Sequence, residues 1–165
     1  MKTKLYLFIA AALFSISASH VAAHGNVIPQ GADSSKMPKI TEGDESDDGW
    51  VFANPYRGLD GDVKTSVIKF GESAYANNCA GCHGLHAQSG GINPDLRELD
   101  PESMEDDEWF VERLRFGSAK GMPALGGIPE GQDEPILDQE TLWAIKTYVE
   151  ARRIVALEEG EIEAY

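Results

Sequence analysis

The chain has few cysteines, few basic residues and no long apolar run beyond its first residues. Its 165 residues include two cysteines, and 14 Lys and Arg against 28 Asp and Glu give a formal charge of −14. Two cysteines cannot build the disulfide framework of a small secreted scaffold. The acidic balance argues against nucleic acid and anionic lipid as partners, because both require a basic surface. The sequence also shows no long strand pattern and no internal repeat.

Residues 1–23 have the pattern of a secretory signal peptide. Lys2 and Lys4 form a positive start, 5–16 is apolar, and 21–23 reads V-A-A, a small-residue cleavage pattern. The apolar run is too short to anchor the chain across a bilayer. We therefore expect cleavage, export to the periplasm and no stable membrane insertion afterwards. Loss of the two lysines leaves 12 bases and 28 acids, a formal charge of −16.

Composition divides the rest of the chain into three parts. Residues 24–62 are rich in Gly, Pro, Ser and acid, which predicts an acidic irregular N-terminal extension. Its aromatic stretch at 50–57, W-V-F-A-N-P-Y-R, is expected to dock onto the domain, because large apolar patches rarely stay exposed. Residues 63–153 carry the apolar periodicity of one domain. Residues 154–165 contain four glutamates and no base, which predicts a partly ordered acidic tail.

Helical periodicity occurs three times in the domain, which predicts a mostly α fold with three main helices. The first helix is expected over about 66–77 and leads directly into the two cysteines. The second begins near Ser103, taken as its N-cap, and stops at Gly117. The third begins after Asp138 as N-cap and ends near residue 153. The intervening loops of about twenty residues are long for so small a domain, unless a large apolar group fills the core.

Both cysteines belong to one motif, C-A-G-C-H at 79–83. C-x-x-C-H is the attachment signature of c-type haem, in which Cys79 and Cys82 form thioethers to the porphyrin and His83 ligates the iron. A thioredoxin-like site requires a βαβ context, and a structural zinc site requires two further ligands; the sequence offers neither. A lone disulfide across so short a loop is an unusual staple. The motif therefore predicts one covalent haem c.

The second axial ligand decides between electron transfer and chemistry at the iron. Met122 lies in G-M-P-A-L, where Pro123 disfavours helix and lets the thioether project from an extended loop. Met37, in the acidic extension, and Met104, in a helix first turn, are poorer choices. His86 follows the motif too closely to reach the other face of a porphyrin, so we assign it to the loop. Met122 is the predicted distal ligand.

The segment N-P-D-L at 93–96 is expected to surround the proximal histidine. A ligating histidine normally donates its other ring N–H to a carbonyl, and the carbonyl of Pro94 is the expected acceptor for His83. Leu96 is expected to pack on the haem. Three bases are possible partners for the haem propionates: Arg97, Arg113 and Arg115.

Taken in order, these motifs resemble a class I cytochrome c. The resemblance covers residues 63–153 and rests on the first helix with Gly71 and Tyr75, then C-A-G-C-H, P-D-L, G-M-P and W-A-I-K-T-Y. It implies the class I cytochrome c fold, with three main helices and long loops wrapped around one covalently bound haem. It also implies His/Met-ligated iron and a first helix that crosses the last, where Gly71 permits close approach near Tyr148.

A closer resemblance is to the periplasmic cytochromes that accept electrons from quinoprotein (PQQ-dependent) alcohol dehydrogenases. It rests on N-P-Y-R-G at 54–58, N-N-C-A-G-C-H-G-L at 77–85, S-G-G-I-N-P-D-L-R at 89–97 and L-W-A-I-K-T-Y-V-E-A-R-R at 142–153. It implies a monohaem electron carrier, not an enzyme, that passes single electrons toward a terminal oxidase or another cytochrome. Two alternatives stay open. One is a haem peroxidase or ligand-binding protein with an open distal site; the other is a cytochrome subunit of another periplasmic redox complex, such as one for sulfur-compound oxidation.

Overall fold

The computed structural model describes residues 28–41, 49–128, 130–131 and 133–164. The predicted signal peptide lies outside these ranges. Within them the elements are α1 (Gly61–Asn78), α2 (Ala80–His83), α3 (Pro101–Glu105), α4 (Asp107–Phe116) and α5 (Gln139–Glu158), with short 3-10 turns at Leu85–Ala87 and Leu96–Glu98. No β-strand occurs in these residues, and the predicted mostly α fold is confirmed. None of the helices described is long and apolar enough to cross a membrane.

Helices α1 and α5 form the most extensive contact between elements, and they cross at Gly71. A Cβ at Gly71 would lie 2.0 Å from the carbonyl oxygen of Ala144, so only a hydrogen atom fits there. Beside the crossing, the rings of Tyr75 and Tyr148 pack with centroids 5.3 Å apart. The predicted packing of the first helix across the last is therefore present.

The second predicted helix is in fact two helices that meet at Asp106. The backbone of Asp106 is extended, with ψ 92°, and its carboxylate accepts the N–H of Trp109 at 2.8 Å, which caps α4. Asp100 caps α3 by accepting the N–H of Ser103 at 2.8 Å. Ser103 is therefore not the N-cap, and that prediction was wrong. Several carboxylates in one short stretch can each start a helix, and two of them do.

Helix α5 begins as predicted but ends later. The carboxylate of Asp138 accepts the N–H of Thr141 at 2.9 Å, as expected of an N-cap. The helix does not end near residue 153 but continues to Glu158, because Ala156 is fully buried and extends its packed face. The start of the segment expected to be a tail is therefore helical.

The extension before α1 packs onto the helices although it has little regular structure of its own. Tyr56 is buried, and its hydroxyl donates to the carbonyl of Pro38 at 2.8 Å. Val51 is also buried, and Trp50 packs against the main core. The predicted docking of the aromatic stretch is confirmed, and this part of the extension contributes to the core.

Candidate haem site

A cavity of about 840 Å³ lies beside the C-A-G-C-H motif. Its walls come from the end of α1, from α2, α4 and α5, and from the loops that follow α2 and α4. All six site residues predicted from the sequence line it: Cys79, Cys82, His83, Pro94, Leu96 and Met122. The alternative sixth ligands considered above, Met37, Met104 and His86, do not line it. The fold thus brings together groups that are up to about forty residues apart in the chain.

The end of α1 sets the position of the motif. The N–H of Cys79 donates to the carbonyl of Tyr75 at 2.7 Å, and the N–H of His83 donates to the carbonyl of Cys79 at 2.8 Å. The single turn of α2 therefore follows directly from the end of α1. The hydroxyl of Tyr75 donates to the carbonyl of Gly84 at 2.9 Å and ties the end of α2 back to α1.

Cys79 and Cys82 are both free, but they differ in exposure. Cys79 is buried, whereas Cys82 is exposed where it lines the cavity. Burial, with a smaller contribution from Cys82, raises the pKa of the Cys79 thiol to about 12. Such a thiol gives almost no thiolate near neutral pH.

His83 is oriented by the loop that follows the motif. Its Nδ1 lies 3.0 Å from the carbonyl oxygen of Pro94, which is the hydrogen bond predicted from the sequence. With Nδ1–H assigned as the donor, Nε2 is left as the atom that can bind a metal. The side-chain amide of Asn93 also donates to the carbonyl of Cys82 at 2.9 Å. Two hydrogen bonds therefore fasten this loop to the motif.

The same loop is anchored to the C-terminal end of α5. Arg97 is 3% exposed and pairs with Asp95 at 2.9 Å and with Glu161 at 2.5 Å. Arg153 donates to two carbonyls of this region, including that of Arg97 at 2.5 Å. Arg97 does not line the cavity, and its charge stabilises the loop through these ion pairs.

Met122 lies in a turn that follows α4. Its carbonyl oxygen accepts the N–H of Ser118 at 2.9 Å, and its side chain is half-buried where it lines the cavity. Gly117 begins this turn with φ 70°, which a side chain would strain. The N–H of Leu125 donates to the carbonyl of Leu114 at 2.9 Å, which returns the chain to α4. Hydrogen bonds therefore fix the loop before and after Met122.

The cavity wall carries two bases and no acid among the described residues. Arg113 and Lys120 both line it, and the guanidinium of Arg113 lies 5.3 Å from the ring of Trp109. Arg115 does not line the cavity; its guanidinium stacks on the ring of Trp50 at 4.3 Å. Of the three arginines considered for carboxylates of a bound group, only Arg113 is placed at the cavity.

These residues fit a haem c and do not fit a structural metal ion. An imidazole, a thioether and two free thiols line one mainly apolar cavity, whose size falls in the range of about 300–1,000 Å³ found for cofactor sites. Among the residues that the structure describes, no three His, Cys, Asp or Glu side chains converge to hold a metal ion.

The sequence interpretation missed much of the apolar wall. Trp109, Phe110 and Leu114 of α4 line the cavity, as do Ile145 of α5 and the exposed Ile92. The sequence predicted only that α4 had a buried face. The available signal was an apolar helix face between two long loops, which indicates that part of this face meets a bound group.

Comparisons with known proteins show which family the chain belongs to. The chain matches the family model of cytochrome c oxidase, cbb3-type, subunit III, over residues 67–149. It is 41% identical over 140 residues to cytochrome c550 of Pseudomonas aeruginosa, covering 84% of this chain and 88% of that protein. It is 53% identical over 73 residues to quinohemoprotein alcohol dehydrogenase ADH-IIG of Pseudomonas putida, covering 42% of this chain but 10% of that protein. No solved structure matches the chain at a significant level.

The family follows from the extent of these matches. The family model covers half of the chain, and the relative from P. aeruginosa is similar along nearly its whole length. The resemblance to class I c-type cytochromes is confirmed, and the peroxidase alternative gains no support. The chain belongs to the c-type cytochromes, and it is an electron carrier with one covalently bound haem c and not an enzyme.

Proposed function

We propose that this cytochrome works in the periplasm, where it accepts single electrons from a quinoprotein (PQQ-dependent) alcohol dehydrogenase and passes them toward a terminal oxidase or another cytochrome. The observation that carries the proposal is the 53% identity over 73 residues to part of a quinohemoprotein alcohol dehydrogenase. That enzyme is named for both a quinone and a haem. A separate chain so similar to part of it is suited to exchange electrons with an enzyme of the same type.

Four side chains attach and ligate the haem in this proposal. Cys79 and Cys82 form the thioethers, His83 is the proximal ligand through Nε2, and Met122 is the distal ligand. The support is that all four line one cavity and that Pro94 already engages Nδ1 of His83. A bound haem supplies one-electron chemistry between ferrous and ferric iron, and a methionine ligand raises its reduction potential.

The remaining cavity residues serve binding and orientation. Leu96 and Pro94, which line the cavity with His83, would pack against the haem. Arg113 and Lys120 pair with the propionates, because they are the charged side chains of the wall and both are positive. With His83 and Met122 both holding the iron, the protein would leave no position at the metal for a substrate.

The docking surface of the electron donor is proposed at the mouth of the cavity. Ile92, which is 91% exposed, and Cys82, which is also exposed, both line the cavity. An uncharged contact around this edge suits the small, transient interfaces of redox encounters. The strong negative charge of the rest of the chain steers a donor with a basic rim, so the association rate should fall as salt increases.

Stopped-flow reduction by a purified quinoprotein alcohol dehydrogenase tests the proposal. We expect rapid reduction that slows with increasing ionic strength. Ile92→Asp should slow it about tenfold, equivalent to about 1.4 kcal/mol, by placing a charge in the contact. Ile154→Asp, on α5 and also exposed, is the matched control and should have little effect. If the cytochrome were not reduced, or if the rate did not depend on salt, this donor would lose its support. If both variants slowed reduction equally, the docking surface would not lie at Ile92.

A further inference from the structure

Four charged side chains meet around the fully buried Lys146 beside the haem cavity, and we call them the buried charge cluster: Arg57, Asp107, Lys146 and Glu150. Asp107 is buried as well, Glu150 is partly buried, and Arg57 closes the cluster from a half-exposed position. Lys146 is 0% exposed, and its Nζ lies 3.6 Å from Asp107 and 3.4 Å from Glu150. Arg57 contacts the same two carboxylates at 2.6 and 2.7 Å. Two bases and two acids give the cluster a formal charge of zero.

One aromatic ring separates this cluster from the cavity. Lys146 Nζ lies 4.5 Å from the centre of the Phe110 ring, and Phe110 lines the cavity. Ile145, next to Lys146 in α5, also lines it. Because Lys146 is buried, its charge acts through protein and is poorly screened by solvent or salt. A change in the charge of the cluster should therefore be felt in the cavity.

The N-terminal extension completes the cluster. Arg57 supplies one of its two positive charges, and Asn54 donates to Asp107 at 2.8 Å and to Glu150 at 3.2 Å. Burial lowers the pKa of Lys146, while Glu150 and Asp107 oppose that effect and favour its ammonium form. The N-P-Y-R stretch lies outside the haem motif, and its Asn54 and Arg57 bind the two carboxylates of the cluster.

We propose that the charge balance of the buried charge cluster tunes the reduction potential of the haem, with Lys146 as the residue that keeps the cluster neutral. Ferric haem carries one more positive charge than ferrous haem. A net negative charge nearby therefore favours the oxidised form and lowers the potential, and a net positive charge raises it. The neutral cluster contributes little net field while it is complete. The inference rests on the proposed position of the haem in this cavity.

Redox titration of holoprotein variants with opposite charge changes tests this role. Lys146→Met leaves the cluster with one excess negative charge and should lower the equilibrium constant for reduction about tenfold, which is about 59 mV for one electron. Glu150→Gln leaves one excess positive charge and should shift the potential in the opposite direction. The double variant restores neutrality and should return to within about threefold of the unmodified protein. A general loosening of the fold would not produce shifts of opposite sign.

Two further variants keep the test decisive. If Lys146→Met does not fold, Arg57→Gln removes a positive charge from the same carboxylates at a half-exposed position and should lower the potential by a smaller amount. Lys39→Gln makes the same charge change at the exposed pair with Glu140 and should leave the potential unchanged. The ferric absorption band from the iron–thioether bond should persist in every variant, which separates this test from the assignment of Met122. Shifts of one sign for all variants, or a Lys146→Met shift no larger than that of Lys39→Gln, would overturn the inference.

Discussion

The backbone of Gly117 lies against the carbonyl group of Met122, so that a Cβ at Gly117 would be 2.2 Å from the Met122 oxygen. Gly117 also has φ 70°, a conformation that residues with a side chain rarely adopt. The adjacent N–H of Ser118 donates to the same oxygen at 2.9 Å. One glycine thus sets the backbone position of the proposed distal ligand.

Gly117→Ala should displace the loop that carries Met122. The haem should stay attached, because Cys79 and Cys82 lie in a different element, but the iron–thioether band should weaken and the potential should fall. Overpacking and strain should lower the free energy of unfolding by about 1–3 kcal/mol. Ferric absorption spectra and urea unfolding measure both effects.

Gly90→Ala is the matched control for that variant. A Cβ at Gly90 meets no atom within 4 Å, and this glycine has no positive φ in the left-handed range. Its iron–thioether band should be unchanged, and its free energy of unfolding should stay within about 0.5 kcal/mol of that of the unmodified protein. If Gly117→Ala behaved like Gly90→Ala, the turn would not position Met122.

Gly71→Ala should destabilise the protein without moving the haem ligands. The added methyl group would collide with the carbonyl of Ala144, which is helix backbone and cannot move aside alone. We expect a loss of about 2–3 kcal/mol in the free energy of unfolding, measured with urea, and an unchanged iron–thioether band. Gly58→Ala, where a Cβ meets nothing within 4 Å, should change stability little. Equal stability of the two variants would contradict the close crossing of α1 and α5.

The ion pair between Asp95 and Arg97 predicts a pH dependence of stability. Burial raises the pKa of Asp95, but the hydrogen bonds and charge of Arg97 outweigh it, so the pKa lies below the ordinary 3.8. A carboxyl whose folded-state pKa is depressed stabilises the fold above 3.8, and this contribution is lost as pH falls through the folded-state pKa. Asp95→Asn should therefore be less stable than the unmodified protein at neutral pH, and the difference should shrink below about pH 3.8.

Urea unfolding from neutral pH down to about pH 3 measures that difference. Glu163→Gln removes a carboxylate at an exposed position and serves as control, with a small effect throughout. A deficit of Asp95→Asn that is the same at every pH would show that the side chain acts through packing and not through its charge.

Local spacing predicted the core of the site. The C-A-G-C-H motif requires one short turn, so Cys79, Cys82 and His83 had to lie together, and the hydrogen bond from His83 to Pro94 followed from the needs of a ligating histidine. The crossing at Gly71 came from resemblance to a family, because no local pattern shows which helix a glycine faces. The motif and its hydrogen bond could thus be predicted without knowledge of the rest of the fold, whereas the crossing could not.

Tertiary contacts determined what the sequence did not predict. Asp106 breaks the second predicted helix, and nothing local ranks it above Ser103 as a cap. Lys146 lies in α5, and its neighbours Asp107 and Arg57 come from distant segments. From helical periodicity alone, such charged side chains are predicted to be exposed, because a buried lysine is uncommon unless it is paired. The buried charge cluster could therefore not be predicted from the sequence, because it forms only where the extension packs on α4 and α5.

Met122 and His83 are proposed to hold the haem iron within one cavity. The most direct measurement is the iron–thioether charge-transfer absorption of the ferric holoprotein, compared among the unmodified protein, Met122→Ala and Met37→Ala. Met37 packs against the core without lining the cavity, so it provides the matched control. We expect the band to be present in the unmodified protein and in Met37→Ala and absent in Met122→Ala, with haem still covalently attached in all three. A band that persists in Met122→Ala would contradict the proposal.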